Sequence, residues 1–344
     1  MRDPYELAKH VLESTTGGAA REMYLGSAGF SSIGLYGAAV HGKGAEDASC
    51  STFHLENESG VGDITLYQVF PGIELVYNDM HMEYCNKNQE PTPDVMEINY
   101  CKEGRSECLF GEHQYCYMAA GDLSFCSLQE NFHQSEFPTS HYHGITITVD
   151  FSRITDGMRK ILELLSVDLG WIRELSQIRE FTIIRTNPTV EHIFSELYTV
   201  PEKIRYGYIR VKVLELLLVL TELDPGMDKT DRTPRFSEAQ IEAVKQVHGF
   251  LLEHFSEHYT IEELAERFEI SPTAMKRCFK GVYGDSIYAY MKRYRLQAAE
   301  RMLRESKLTI GEIADKIGYL NPNKFTSAFC AEYGVPPTEY RKNS

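Results

Sequence analysis

The stretch EISPTAMKRCFK, residues 269–280, places a Ser-Pro pair directly before a basic segment with helical spacing of its apolar residues. A serine at a helix N-cap accepts a hydrogen bond from a backbone N–H that otherwise has no partner. A proline at the first helical position costs nothing, because its missing N–H would have been unpaired there. The pair Ser271-Pro272 therefore predicts the start of a helix and not its end.

The same arrangement occurs a second time. TIEELAERFEISPTAMKRCFKGVYG starts at Thr260, and TIGEIADKIGYLNPNKFTSAFCAEYG starts at Thr309. Counted from Ser271 and Asn321, both segments carry apolar residues at offsets 4 and 8 and a Tyr-Gly pair at offsets 12 and 13. Offsets of 4 and 8 lie on one face of a helix, and the glycine can adopt the left-handed conformation that ends it. The sequence predicts a helix-turn-helix unit, twice over.

The second helix of each unit, called here the recognition helix, carries small, polar and basic residues in its first turns. A helix in the major groove contacts base edges through its N-terminal residues; Arg and Lys match guanine, and Asn matches adenine. We therefore predict binding to double-stranded DNA, the alternative being a helical protein-binding module. The predicted contact residues are Ser271, Thr273, Ala274, Lys276, Arg277 and Lys280 in the first unit, and Asn321, Asn323, Lys324, Thr326 and Ser327 in the second.

Residues 286–304 are predicted to form one connecting helix, roughly 27 Å long at 1.5 Å per residue. That length would hold two recognition helices about one turn of DNA apart. Its pattern places four apolar residues inward and three basic residues outward. The inward set is Ile287, Met291, Ala298 and Met302, and the outward set is Lys292, Arg293 and Arg295.

Charge is distributed unevenly along the 344 residues. The net charge of −15 argues against nucleic-acid binding by the chain as a whole. Residues 236–344, however, carry 15 acidic and 15 basic side chains, so the acidic excess belongs entirely to the preceding part. This asymmetry indicates two parts with different roles, of which only the C-terminal one can approach phosphates without net repulsion.

The eight cysteines contain no C-x-x-C pair, which excludes zinc-ribbon and thioredoxin-like sites. The polar start MRDPYELAKH does not resemble a signal peptide, and the longest apolar run is too short to cross a bilayer. We expect a cytoplasmic protein with reduced thiols, no cofactor and no membrane partner.

The fold class predicted for the whole chain is α+β and multidomain. Residues 1–61 are poorly defined, and residues 62–152 are rich in short strands, as in a small antiparallel sandwich or barrel. GITITVDF (144–151) alternates apolar and polar residues, and VMEINYCKEGRSECLF (95–110) is expected to form a hairpin that turns at Lys102–Arg105. Residues 237–344 form the predicted DNA-binding domain.

Between these parts, residues 153–223 are predicted to be helical, and residues 224–236 (DPGMDKTDRTPR and Phe236) to be a linker. The segment with the strongest helical periodicity, roughly Glu202–Leu223, is apolar over much of the circumference of its helix, so two sides of that helix must pack against other residues. Homodimerisation would supply one of these contacts, the alternative being a helix buried within its own chain. The face assigned to the dimer contains Ile209, Val213, Leu216, Leu217 and Leu220, and a second apolar side contains Val211, Leu214 and Leu218.

Residues from about 241 to 342 resemble the DNA-binding domain of the AraC/XylS family of transcription regulators. The resemblance rests on the duplicated unit and on the ending FTSAFCAEYGVPPTEYRK, with Phe325, Phe329, Gly334, Pro336, Pro337, Tyr340 and Arg341 in place. It implies that Thr273, Lys276 and Arg277 contact DNA in the first unit, and Asn323, Lys324, Thr326 and Ser327 in the second. Many members carry Arg where this chain has Ser327, so the second helix is expected to discriminate less.

The resemblance also implies an N-terminal cupin-like barrel that binds an effector or dimerises. GDLSFCSLQENFH (121–133) is similar to a cupin motif, although it lacks the proline and has an extra residue. His113, His133, His141 and His143 are candidate metal ligands, with His141-x-His143 as a possible pair, but no acidic residue follows at the cupin spacing, and we predict no metal. A small-molecule pocket is favoured over a metal site, although a packed core would fit the residues nearly as well. The candidate lining is Met96, Tyr100, Tyr117, His133 and Ile147.

These expectations describe a ligand-responsive transcription regulator that works as a homodimer with DNA, a small apolar or aromatic effector and RNA polymerase as partners. The resemblance implies activation as the commoner outcome, and repression is the alternative. One alternative is an enzyme: a metal-dependent cupin, or a DNA alkyl-repair methyltransferase, although the reactive cysteine site of the latter is missing. Another alternative is a constitutive DNA-binding dimer whose barrel only acts as a spacer. We predict that the chain is not an enzyme.

Overall fold

The computed structural model describes residues 40–47, 50–89, 92, 94–110, 113–128, 132–178, 181–185, 188–222 and 234–343. Most of the predicted N-terminal segment 1–61 and most of the predicted linker 224–236 lie outside these residues. The chain divides into two compact units, which are described separately. The N-terminal unit comprises residues up to 112 and 116–233, and the C-terminal unit comprises 113–115 and 234–344.

The N-terminal unit is built on antiparallel strands. The strands are β1 (Val40–Asp47), β2 (Cys50–Asn57), β3 (Gly60–Phe70), β4 (Ile73–His81), β5 (Tyr84–Gln89), β6 (Val95–Phe110), β7 (Gln114–Ala119), β8 (Leu123–Ser127), β9 (Phe132–Glu136), β10 (Tyr142–Asp150) and β11 (Phe181–Ile184). Their order in the main sheet is β1-β2-β3-β4-β10-β6-β7, with β8 pairing both β6 and β11, while β5 and β9 form a separate pair.

The predicted closed barrel is wrong for the described strands. A barrel requires the first and last strands of the path to pair with each other. Here β1 lies at one end of the main sheet and β6 branches to β7 and β8 near the other, so the sheet remains open. Two strands, β1 and β2, also precede residue 62, where the strand-rich region was expected to begin.

The predicted hairpin at 95–110 is also wrong, because β6 is one continuous strand of 16 residues. Gly104 has a φ of +80°, as a turn would require. On the partner strand β10, however, Gly144 pairs with Cys101 and His143 pairs with Glu103. Lys102 is therefore the extra residue of a β-bulge, which bends the strand without reversing it.

The described residues of the N-terminal unit also form four helices: α1 (Asp156–Leu164), α2 (Leu169–Ile178), α3 (Pro188–Thr199) and α4 (Arg205–Thr221), the last preceded by a 3₁₀ turn (Glu202–Ile204). They pack on one face of the sheet, where Ile145, Ile147 and Val149 of β10 join a single core with residues of α3 and α4. The alternation predicted for β10 is confirmed in this core.

The C-terminal unit has a short strand, β12 (Phe236–Ser237), and seven helices: α5 (Glu238–Glu253), α6 (Ile261–Arg267), α7 (Pro272–Tyr283), α8 (Ile287–Glu305), α9 (Ile310–Lys316), α10 (Pro322–Tyr333) and α11 (Pro337–Asn343). Helix α8 packs against α7 and also against α9, α10 and α11, so it joins two halves of one structure. No helix among the described residues is long and apolar enough to cross a bilayer.

Candidate nucleic-acid interface

Both recognition helices begin as the sequence predicts. At the start of α7, the Ser271 hydroxyl accepts a hydrogen bond from the Ala274 N–H at 3.3 Å. At the start of α10, the Asn321 side-chain oxygen accepts from the Asn323 N–H at 2.8 Å. A proline occupies the first turn in each case. Both capped starts are confirmed, and each places exposed side chains at a helix N-terminus.

The inner faces and ends of the two helices are also confirmed. Met275, Phe279, Phe325 and Phe329 are all 0% exposed. Helix α7 ends at Gly284 with a φ of 86°, and α10 ends at the equivalent Gly334 with a φ of 77°. Because these residues determine which side of each helix faces the core and where the helix ends, they also determine which side chains face outward.

The turn between the helices of each unit has the same hydrogen-bonding pattern. The Ile270 N–H donates to Ala265 O at 3.1 Å, and the Tyr319 N–H donates to Ala314 O at 2.8 Å. Each bond closes a Schellman motif around a residue in the left-handed conformation. That residue is Gly318 in the second unit but Glu269, with a φ of 51°, in the first. The sequence did not indicate this, because a glutamate is not a typical left-handed residue.

The predicted contact residues of both helices lie on the outward side or at the caps. Three of them have a structural bond to the backbone: Ser271 and Asn321 are caps, and the Thr326 hydroxyl donates to Pro322 O at 2.9 Å. Ala274 and Thr326 are half-buried, whereas the remaining nine are exposed: Ser271, Thr273, Lys276, Arg277, Lys280, Asn321, Asn323, Lys324 and Ser327.

The two recognition helices differ in charge. Helix α7 carries Lys276, Arg277 and Lys280 and no acidic residue, and the Arg277 guanidinium lies 5.6 Å from the centre of the Phe236 ring. Helix α10 carries Lys324 and Glu332, which cancel. A polyanion would therefore be attracted mainly by α7, whereas α10 offers polar groups that recognise by hydrogen bonding.

The prediction that Arg295 points outward from α8 is wrong. Arg295 is only 7% exposed, and its guanidinium donates to Phe255 O and to Glu257 O, both at 2.6 Å. These carbonyls belong to the loop that follows α5, beyond the last helical residue Glu253. Burial lowers the pKa of Arg295. The buried cation is therefore held by backbone acceptors and is not available to a phosphate.

The same loop reaches the second helix-turn-helix unit. His258 forms hydrogen bonds through Nε2 with Gly318 O at 2.8 Å and through Nδ1 with the Arg295 guanidinium at 3.3 Å. A Cβ on Gly318 would lie 2.1 Å from Ser256 O. We call residues 255–258 together with Arg295 and Gly318 the junction. It connects the loop of the first half, the central helix and the turn of the second half.

The candidate effector-binding residues lie in the interior of the N-terminal unit. Met96, Tyr100 and Ile147 belong to its core, and the Tyr100 ring stacks on Phe194 at 4.3 Å. Tyr117 is 2% exposed and donates its hydroxyl proton to the Glu107 carboxylate. The side chain of His133 lies outside the described residues. The four described side chains are packed against protein atoms.

The five residues assigned to dimerisation are likewise inside their own unit. All are 0% exposed and belong to the core that α4 shares with the sheet, so a partner subunit could not touch them. They are Ile209, Val213, Leu216, Leu217 and Leu220. The opposite side of α4 is open instead, with Val211 59% and Leu218 40% exposed.

Known proteins are similar to the C-terminal part of the chain. A family model described as a helix-turn-helix domain matches residues 264–343. A Streptomyces lividans protein described as an AraC-like transcription regulator is 33% identical over 85 residues, which cover 25% of this chain and 28% of that protein. The Escherichia coli activator RclR is 33% identical over 92 residues, covering 27% of this chain and 32% of that protein.

Among solved structures, the C-terminal domain of AraT from Geobacillus stearothermophilus is 31% identical; the match covers 30% of this chain and 85% of that chain, with a TM-score of 0.29. The chain thus spans about a third of the length of the two curated relatives, 28% and 32%. Both of them are described as transcription regulators. The C-terminal domain of the chain is therefore a helix-turn-helix domain of the AraC/XylS type.

Proposed function

We propose that the chain is a sequence-specific DNA-binding transcription regulator whose helices α7 and α10 enter successive major grooves on one face of the duplex. The observation that carries this proposal is the duplicated, capped recognition helix with an exposed polar stripe. A helix-turn-helix protein reads bases through such an N-terminal stripe, and a pair of them reads two half-sites about one turn apart.

The two helices have different tasks in this proposal. Lys276 and Lys280 of α7 neutralise phosphates, and Arg277 reads a guanine through its two-pronged guanidinium. Asn323 of α10 reads an adenine, whereas Ser327 can form a hydrogen bond with either adenine or guanine and therefore does not discriminate between them. This division of roles follows from the three basic residues of α7 and from the opposite charges on α10, which sum to zero. Binding should therefore be salt-dependent mainly through the first unit.

The test is a titration of the full chain against labelled duplexes from its own upstream region and against random duplexes of equal length. Preference for a defined site is expected. Arg277→Ala should weaken specific binding by about 1–3 kcal/mol, which is roughly 5- to 150-fold. Arg304→Ala is the matched control, because Arg304 is also exposed but its guanidinium donates to Glu300 on α8 at 3.0 Å. Equal affinity for all duplexes would end the proposal.

We also propose that the N-terminal unit senses a small apolar or aromatic effector, and that the protein activates transcription through RNA polymerase. RclR, a relative of the C-terminal part, is named an activator, which supports that sign of regulation. A thermal-shift screen of the full chain against aromatic and aliphatic compounds tests the sensing role. A chain that no compound stabilises, and whose DNA affinity no compound changes, would instead be a constitutive regulator.

A homodimer in this proposal uses the open side of α4, because its other side is already covered by the sheet. Val211 and Leu218 lie two turns apart on that side. Sedimentation of the full chain and of Val211→Lys tests the interface. A monomeric native chain, or a dimer that Val211→Lys leaves unchanged, would place self-association elsewhere or remove it.

A further inference from the structure

Two strand ends in the N-terminal unit bring together side chains that the DNA-binding proposal does not use. Asp79 and His81 lie near the end of β4, and His141 lies directly before β10. These three residues offer ligand atoms that all lie within 4.8 Å of one another. Among the described residues, no other group of three His, Cys, Asp or Glu side chains meets that condition.

The strand register explains this meeting. In the β4–β10 pair, Met80 is opposite Tyr142 and Asp79 is opposite His143. One residue further on, His81 faces His141, and their rings lie 5.0 Å apart. Residues two apart on a strand point to the same face, so Asp79 accompanies His81 on that face. Asp79 and His81 thus stand on strand β4, and His141 immediately precedes the strand β10 that pairs with it, so that little ordering is needed to bring the three together.

We infer that Asp79, His81 and His141 form a binding site for a divalent first-row transition metal ion, for which Zn²⁺ is the representative. Two imidazoles and one carboxylate are ligands that suit zinc and nickel, whereas calcium and magnesium take oxygen ligands. The site contains no thiolate. Three protein ligands leave a fourth position to water.

The distances allow coordination after small side-chain rotations. The His81 Nε2 atom lies 3.1 Å from an Asp79 carboxylate oxygen. Two ligands of a tetrahedral zinc at about 2.0–2.1 Å from the metal lie roughly 3.3 Å apart. About half of the His81 and Asp79 side chains and a third of the His141 side chain are exposed, so an ion can enter from solvent.

Two neighbours define the edge of the site. Glu103 on β6 has a carboxylate oxygen 3.7 Å from His141 Nε2, but Lys102 lies 3.4 Å from its other oxygen. The lysine makes Glu103 the weaker ligand, and Asp79 is therefore assigned as the carboxylate of the site. His143 lies against the edge of the Tyr198 ring, with centroids 5.0 Å apart, and is not assigned as a ligand. A bound ion would fasten the end of β4 to the start of β10.

The experiment is a titration of the full, chelator-treated chain with ZnCl₂ by calorimetry, followed by CoCl₂ with absorption spectroscopy. We expect a single site, with a cobalt spectrum that shows ligand-field bands and no thiolate charge-transfer band. His81→Ala and His141→Ala should each weaken zinc binding at least about 10-fold, since even outer-shell changes cost about 10- to 100-fold.

The chain contains its own control. His54 on β2 has its Nδ1 atom 3.0 Å from an Asp63 carboxylate oxygen on β3, in a similar cross-strand position but outside the three-residue cluster. His54→Ala should leave the affinity within about twofold. The inference fails if the native chain binds no zinc, if His81→Ala and His141→Ala bind as the native chain does, or if the cobalt spectrum shows thiolate ligation. Circular dichroism of each variant checks the fold, and His81→Gln repeats the test with a polar replacement.

Discussion

Replacing the buried arginine of α8 should destabilise the C-terminal unit far more than replacing an exposed arginine two residues earlier. The change is Arg295→Met, which keeps an unbranched side chain and removes the guanidinium. In the native unit that guanidinium donates to Phe255 O and Glu257 O at 2.6 Å each. Both acceptors belong to the loop that carries the junction, so their loss loosens the contact between the two halves.

The magnitude follows from these two bonds. Hydrogen bonds of charged groups contribute about 1.5–3 kcal/mol each, so two contribute about 3–6 kcal/mol. Burying the cation carries a desolvation cost that methionine does not have, and the lowered pKa of Arg295 reflects that cost. We therefore expect a net loss of about 3 kcal/mol. At about 2.1 cal/mol/K per residue, a fragment of roughly 110 residues would lose about 13 °C in Tm.

The assay is thermal unfolding of a fragment covering residues 234–344, monitored by circular dichroism. Arg293→Met is the matched control, because the Arg293 side chain is 43% exposed, pairs with Asp285 and lies 5.8 Å from the centre of the Tyr290 ring, without a buried hydrogen bond. That variant should stay within about 1 kcal/mol of the native fragment. If Arg295→Met and Arg293→Met lower Tm equally, the junction does not stabilise the unit, and the reasoning above is refuted.

Three further predictions concern the same unit. Gly318→Ala should cost about 2 kcal/mol or more in denaturant unfolding, because φ is +83° and the added Cβ would lie 2.1 Å from Ser256 O. Glu269→Gly, at the equivalent turn with a φ of 51°, should instead be neutral or stabilising by up to about 1 kcal/mol; a clear loss would contradict the strain assigned to it. Burial lowers the pKa of His248 to about 4. The unfolded state therefore binds the extra proton between about pH 6.5 and pH 4, and stability should be full above that window and fall by up to about 3 kcal/mol as pH drops through it. His248→Phe should flatten this dependence in urea titrations at several pH values, and an unchanged slope would assign it to other groups.

The start, inner face and end of each recognition helix could be predicted because local chemistry determines them. A cap needs a side-chain oxygen beside the first turn, an inward stripe needs spacing of about four, and the end needs a glycine. Ser271, Met275, Phe279 and Gly284 satisfy these requirements within one short segment, with the predicted burial and conformation. No distant residue was needed for that part of the prediction.

Positions that depend on distant partners were not predictable in the same way. The spacing of Arg295 along α8 is compatible with either side of the helix, and the carbonyls of the loop after α5 that accept its hydrogen bonds determine that it is buried. Gly104 has the positive φ of a turn, yet β6 pairs with β10 up to this residue and then continues to Phe110, so the chain forms a bulge there and does not reverse. Pairing with an adjacent strand overrides the local turn signal in this case.

The proposed metal site is a further case in which residues that are distant in the sequence come together only in the fold. Sequence spacing directed attention to His141-x-His143, because residues two apart share a strand face. The structure places His141 beside His81, which lies sixty positions earlier in the chain and becomes its neighbour only through the β4–β10 register. A cluster assembled across strands leaves no spacing signature in the sequence.

The two turns of the C-terminal unit show how one repeat constrains the other. Both contain a left-handed residue at the same position, but the first accepts Glu269, which is exposed. The second requires Gly318, because Ser256, in the loop of residues 255–258, occupies the space where a Cβ would lie. His258 and Arg295 hold that loop in place. The orientation of α10 relative to the first repeat therefore depends on the junction, and a substitution there should change which spacing of half-sites the protein accepts even though every predicted DNA contact is retained.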